Sequence, residues 1–167
     1  MAVPEKIRQD VPRDIFDKAT KIGERISLYE VRLISQTANL GDFKPVEAMA
    51  TAGQSCELLR NDQEKKILVK ANFAFDLREL NVLDNSMLSI RATFLVAYHF
   101  EDSLTDEEAN VFGSTSAIPT AWPFWRELVY STLSRMGVAP VTLPTYQLKR
   151  GDADAVAKEP HIASAQS

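Results

Sequence analysis

Residues 118–148, IPTAWPFWRELVYSTLSRMGVAPVTLPTYQL, decide how the rest of the chain is read. They read as one helix with both ends marked. Pro123 suits the first helical turn, where its missing N–H costs nothing. Gly137 suits the position just past the last turn, because it tolerates the left-handed conformation. Arg135 in the last turn complements the helix dipole. Between these marks Trp125, Leu128, Val129, Thr132, Leu133 and Met136 recur at helical spacing and form an apolar stripe. Arg126, Ser131 and Ser134 fall off it. Pro140 and Pro144 then forbid a second regular element, so residues 138–148 should run extended. On these grounds alone the stretch is a core helix with its exit loop.

Working outward, residues 65–81 are the clearest strand: Ile67, Val69, Ala71, Phe73, Phe75 and Leu77 alternate with Lys70, Asn72, Asp76 and Arg78. Asp84-Asn85 marks a turn. Residues 87–101 are the matching strand, with Leu88, Ile90, Ala92, Phe94, Val96, Tyr98 and Phe100 on one side. Two long strands joined by a short turn form an antiparallel hairpin. Residues 26–40 are a further strand with imperfect alternation: Tyr29, Val31 and Leu33 share one side, while Ile26, Leu28 and Ile34 fall among the charges. A bulge or burial on both sides accounts for that. Residues 54–60 are a weaker strand. The connection from Gly41 to Gly53 carries Phe43, Val46 and Met49, apolar side chains that either pin it to the core or line an adaptable surface.

Thr105 and Glu108 form a capping box, predicting a short helix to about Phe112. Gly113 to Ser116 then reads as a flexible joint. Near the N-terminus residues 1–9 lack a pattern. Asp10 and Pro12 begin a short amphipathic helix with Ile15, Ala19 and Ile22 on one face. The expected organisation is an N-terminal segment over residues 1–25, one domain over 26–148, and a disordered tail over 149–167.

Composition narrows the function classes. With 167 residues, 45% hydrophobic and 25% charged, the chain can bury a core without staples. The single Cys56 rules out an internal disulfide and a cysteine-cluster metal site, and burial is its expected fate. A net charge of −4 argues against nucleic acid as a partner. No apolar run reads as a signal peptide or a membrane span, so a cytoplasmic protein without membrane insertion is expected. His99 and His161 stand apart from any Cys or Asp at ligand spacing, and 6 glycines make no phosphate loop. Asp106, Glu107 and Glu108 are explained by a helix N-terminus. No catalytic constellation emerges. The expectation is a binding protein with no catalytic residues, no metal and no cofactor.

The run Trp122-Pro123-Phe124-Trp125-Arg126-Glu127, then Gly137, then Ala139-Pro140-Val141-Thr142-Leu143 resembles the C-terminal half of the SecB export chaperones. With the order of elements upstream, the resemblance covers residues 26–148. Tyr98-His99-Phe100-Glu101, Thr105-Asp106-Glu107-Glu108 and Arg126-Glu127-Leu128-Val129-Tyr130 resemble more closely the SecB-like chaperones that accompany toxin–antitoxin pairs. The resemblance implies an α+β fold: a roughly four-stranded antiparallel sheet with C-terminal helices packed on one face. It implies a homotetramer, a dimer of dimers, that holds unfolded polypeptides without ATP, for export or to protect an antitoxin. The client groove is placed at Phe43, Val46, Met49, Trp122 and Trp125. In export-type members an acidic sheet face docks the SecA ATPase. Its positions fall on Arg32, Gln36, Leu77 and Glu79 here, so half of the acidic patch is neutralised or reversed and weak SecA docking is expected. The competing reading is a module that holds a small apolar ligand between sheet and helix.

Overall fold

The computed structural model describes residues 7–41, 48–79 and 86–151. Along the chain the elements are β1 (Ile7–Val11), α1 (Arg13–Gly23), β2 (Ile26–Leu40), β3 (Ala48–Asn61), β4 (Lys66–Glu79), β5 (Ser86–Phe100), α2 (Asp106–Arg135) and β6 (Tyr146–Arg150). The fold is α+β. Four strands form an antiparallel sheet in the order β2-β5-β4-β3, and β1 and β6 form a separate parallel pair.

The β4–β5 pair follows its sequence pattern. Ile67, Val69, Ala71, Phe73, Phe75 and Leu77 of β4 are buried, as are Leu88, Ile90, Ala92, Phe94, Val96, Tyr98 and Phe100 of β5. In register they meet as Ile67↔Tyr98, Val69↔Val96, Ala71↔Phe94 and Phe73↔Ala92, so one face of the sheet is a continuous apolar surface. α2 covers it through Ile118, Ala121, Trp122, Trp125, Val129 and Leu133. Trp125 stacks on Phe73 with centroids 5.4 Å apart and planes 16° apart. The expected turn at Asp84-Asn85 lies outside the described residues.

α2 corrects the reading of two helices with a joint between them. It is one helix of 30 residues, with Gly113 buried and Pro119 and Pro123 inside it. Packing overrides the local breakers. A Cβ at Gly113 would lie 2.6 Å from Leu58 Cδ1 and 3.2 Å from Val69 Cγ2, so the missing side chain lets the helix approach the sheet. Thr115 donates its hydroxyl back to the Val111 carbonyl at 2.7 Å, which stitches the former joint into the helix. The prolines leave the Thr115 and Pro119 carbonyls without their usual helical donors.

Both ends of α2 are set locally, as expected. The capping box is complete: Glu108 N–H donates to the Thr105 hydroxyl, and Thr105 N–H donates to the Glu108 carboxylate at 2.9 Å. At the other end Gly137 has φ 71°, Val138 N–H bonds the Leu133 carbonyl, and Gly137 N–H bonds the Ser134 carbonyl. This is a Schellman arrangement. The Thr105 backbone donor, followed by Arg25 at 2.8 Å, holds the Glu108 carboxyl below its ordinary value of 4.5. A depressed carboxyl stabilises the fold above its unfolded pKa, and that contribution disappears as pH falls through the folded value. Glu108→Gln is therefore expected to lose stability at neutral pH and to converge on the wild type in acid. Urea midpoints at pH 7 and below pH 4 check this. Thr105→Ala should cost about 1 kcal/mol in the same assay.

Four further expectations change. β3 begins at Ala48 and pairs with β4 in unbroken register to Asn61, so residues 48–53 are strand rather than loop. Residues 7–9, read as patternless, belong to β1. Tyr146–Arg150, read as extended exit and tail, is the strand β6. β6 begins two residues after Pro144, where each residue can again donate to a ladder. Cys56 is exposed rather than buried, because it lies on the edge strand β3.

Candidate functional site

β2 explains its own broken alternation. Its register against β5 shifts twice, between Leu28 and Glu30 and between Leu33 and Ser35, so Tyr29 and Ile34 are bulged. The shifts keep Leu28, Val31, Leu33, Gln36, Ala38 and Leu40 opposite Tyr98, Val96, Phe94, Ala92, Ile90 and Leu88 of β5. Those β5 residues face α2. The apolar side chains of β2 therefore line the helix side of the sheet, although they do not alternate in sequence.

α2 packs on β3, β4 and β5 and leaves this part of β2 largely uncovered. Leu28 is 54% exposed, Leu33 40% and Leu40 44%. From the helix, Phe124 leans over the same place: it is 49% exposed, with its ring 6.5 Å from that of Phe94. Leu128, one turn further, and Val31 on the strand are partly buried beside the core. Together these residues form an open apolar shelf between β2 and one flank of α2. Between Leu33 and Leu40 the shelf is bridged where Gln36 Nε2 donates to Thr132 Oγ1 at 3.1 Å. Towards the Leu28 end the Tyr98 hydroxyl donates to Thr120 Oγ1 at 3.0 Å. Burial pushes the Tyr98 pKa up to about 12, so the donor proton stays in place.

The shelf suits apolar binding. Each of its half-exposed Leu or Phe side chains would return about 1 kcal/mol if covered, roughly half the value for complete burial. Among the described residues no group of three or more His, Cys, Asp or Glu side chains could hold a metal ion. Among the described residues no helix is long and apolar enough to cross a membrane.

Of the five expected groove residues Met49, Trp122 and Trp125 are described, and they do not share one exposed surface. Phe43 and Val46 lie outside the described residues. Met49 is 45% exposed, but it lies on β3, at the far edge of the sheet, opposite Arg78 of β4. Its neighbour Ala50 is buried opposite Leu77, so Met49 points away from α2. Trp122 and Trp125, expected to border the groove, are buried at 2% and 0% exposed. Between them Pro123 and Phe124 are exposed, and Phe124 is the exposed ring. The docking patch is dispersed as well. Arg32 pairs with Leu95 in register, on the open face, and is bonded to Glu30 at 2.8 Å. The bulge at Ile34 turns Gln36 to the helix side. Leu77 is core, and Glu79 is partly buried at the end of β4. The sequence did carry a signal for the shelf: Leu28 out of step on a charged strand.

No family model matches the chain, and no curated protein matches it. Among solved structures the chain is similar to a Mycobacterium tuberculosis SecB-like chaperone in complex with a ChAD peptide from the HigA1 antitoxin. The TM-score is 0.68 at 16% identity, covering 78% of this chain and 96% of that one. It also matches a Streptococcus agalactiae protein of unknown function at TM-score 0.41 and 14% identity, covering 71% and 95% of the two chains. The fold of this chain is SecB-like.

Proposed function

We propose that this protein is an ATP-independent chaperone that holds unfolded or aggregation-prone polypeptides, and that the shelf between β2 and α2 receives them. The observation that carries this is that Leu28 and Leu33 are left open beside Phe124, where α2 covers β4 and β5 but not β2. An open apolar surface of this kind marks a binding site more often than an ordinary surface. It is a shelf rather than a closed cavity, which suits an extended segment better than a small apolar molecule. The SecB-like fold, and the antitoxin peptide held by the mycobacterial neighbour, support a polypeptide as the ligand. Binding, not catalysis, is the activity.

The same reading extends to partners. The uncovered β2 edge, with exposed Tyr29 and Ile34 at its bulges, favours pairing with another copy and assembly into a homotetramer. The dispersed Arg32, Gln36, Leu77 and Glu79 favour weak docking of SecA and a general or antitoxin-dedicated role in the cytoplasm. We further propose that Phe43 and Val46, which lie outside the described residues, take part in client binding. The experiment is light scattering during dilution of a chemically unfolded, unrelated enzyme without nucleotide. Suppression at stoichiometric amounts of this protein is expected; unchanged aggregation would overturn the reading.

A further inference from the structure

After α2, residues 138–146 lie back along the helix, bound to it in the way a foreign extended peptide would be. Val138, Val141 and Leu143 are buried at 6%, 6% and 2% exposed. Two consecutive backbone carbonyls are read by side chains one helical turn apart: Arg126 Nε donates to the Leu143 carbonyl at 2.6 Å, and Trp122 Nε1 donates to the Pro144 carbonyl at 2.8 Å. Neither bond depends on the identity of the strap residue, since each ends on backbone. The Tyr146 ring closes over Trp122 with centroids 5.3 Å apart.

Val138, Val141 and Leu143 and the two carbonyl bonds anchor the strap on α2, but its C-terminal end is held only lightly. β6 pairs only with β1, in a two-stranded parallel ribbon that shares no strand with the main sheet. Such a ribbon is marginal by itself. The Tyr146 hydroxyl adds bonds to Gln9 and Gln54, and Arg150 reaches Asp17 at 2.6 Å; all of these are exposed.

We propose that the slot on α2 marked by Trp122 and Arg126 is a second polypeptide-binding site, filled in this structure by the chain's own strap, and that an extended apolar segment of a client replaces the strap when β1 releases β6. The ligand class rests on the polypeptide-holding reading above, whereas the site is separate from the shelf. The slot recognises two backbone carbonyls and an apolar side chain between or beside them. β1 acts as the latch, and Trp122 becomes accessible only when the strap leaves.

The probe is a fluorescently labelled peptide of residues 138–150, followed by anisotropy. Against the full chain carrying Gln9→Ala and Tyr146→Ala, it is expected to bind about tenfold more tightly than against the wild type, the scale set by one or two hydrogen bonds lost from the latch. Adding Trp122→Phe, which keeps a ring and removes the N–H, should weaken that binding about tenfold again. Equal affinity for wild type and latch variant, or indifference to Trp122→Phe, overturns the proposal. Hydrogen exchange on Gln9→Ala alone covers the case in which the double variant does not fold. Faster exchange in β6 with unchanged β4 supports the latch, and exchange in β6 only through global unfolding overturns it. Neither readout uses aggregation, so a failed holdase assay and a failed strap are told apart.

Discussion

Trp125→Ala is expected to remove about 3–5 kcal/mol of folding stability, a large share of what a domain of this size has. Trp125 is 0% exposed, stacks on Phe73 and lies where α2 crosses the middle of β4. Removing the indole opens a cavity between helix and sheet that neither rigid element can close. Trp125→Phe should cost much less. Among the described residues, the Trp125 Nε1–H is the one buried side-chain polar atom without a hydrogen-bond partner. Phenylalanine removes this unsatisfied donor while keeping most of the stacked ring, so a lost penalty offsets part of the lost area. Urea unfolding of both variants at constant m-value measures the difference. If the two cost the same, the indole N–H is satisfied in solution and the offset is wrong.

Leu33→Asp combined with Phe124→Asp is expected to raise at least tenfold the amount of protein needed to suppress aggregation, with little change in thermal stability. Both side chains are about half exposed in the native chain, so charging them disturbs little packing. A bound apolar segment would instead bury two carboxylates, whose desolvation costs far more than the contacts return. Tyr130→Asp is the control. Tyr130 is 48% exposed, as Phe124 is, but lies about 120° round the helix from it, on the flank away from β2. It should hold clients as the wild type does. Equal impairment by Tyr130→Asp would mean that general surface charge, not the shelf, governs holding.

Features that depend on a few neighbouring residues were legible in the sequence. Thr105 and Glu108 close a capping box because both partners lie within one turn. Gly137 ends α2 because only a residue tolerant of φ 71° fits there. The β4 and β5 faces followed from alternation, since a single helix covers one side of both. The bulge anticipated in β2 is present, twice, but which side chains it turns where could not be read. That depends on the register against β5, and one extra residue on β2 moves every later side chain to the other face. Arg32 and Gln36 therefore part company, and Leu28 joins Leu33.

The candidate site was legible as a region and not as residues. Three aromatic rings within four positions, Trp122, Phe124 and Trp125, were visible as a cluster. Which of them meets solvent is fixed by the rotation of α2 over the sheet, and that rotation is set by contacts distant in sequence, such as Trp125 on Phe73 and Gly113 against Leu58. The same holds for the continuity of α2 through Gly113 and two prolines, and for the pairing of β1 with β6 from opposite ends of the chain. Sequence by itself determined the local geometry of each element, because caps, turns and alternation are energies of neighbours. Tertiary structure alone decided which apolar side chains were left over, because burial is shared among partners that no local pattern names.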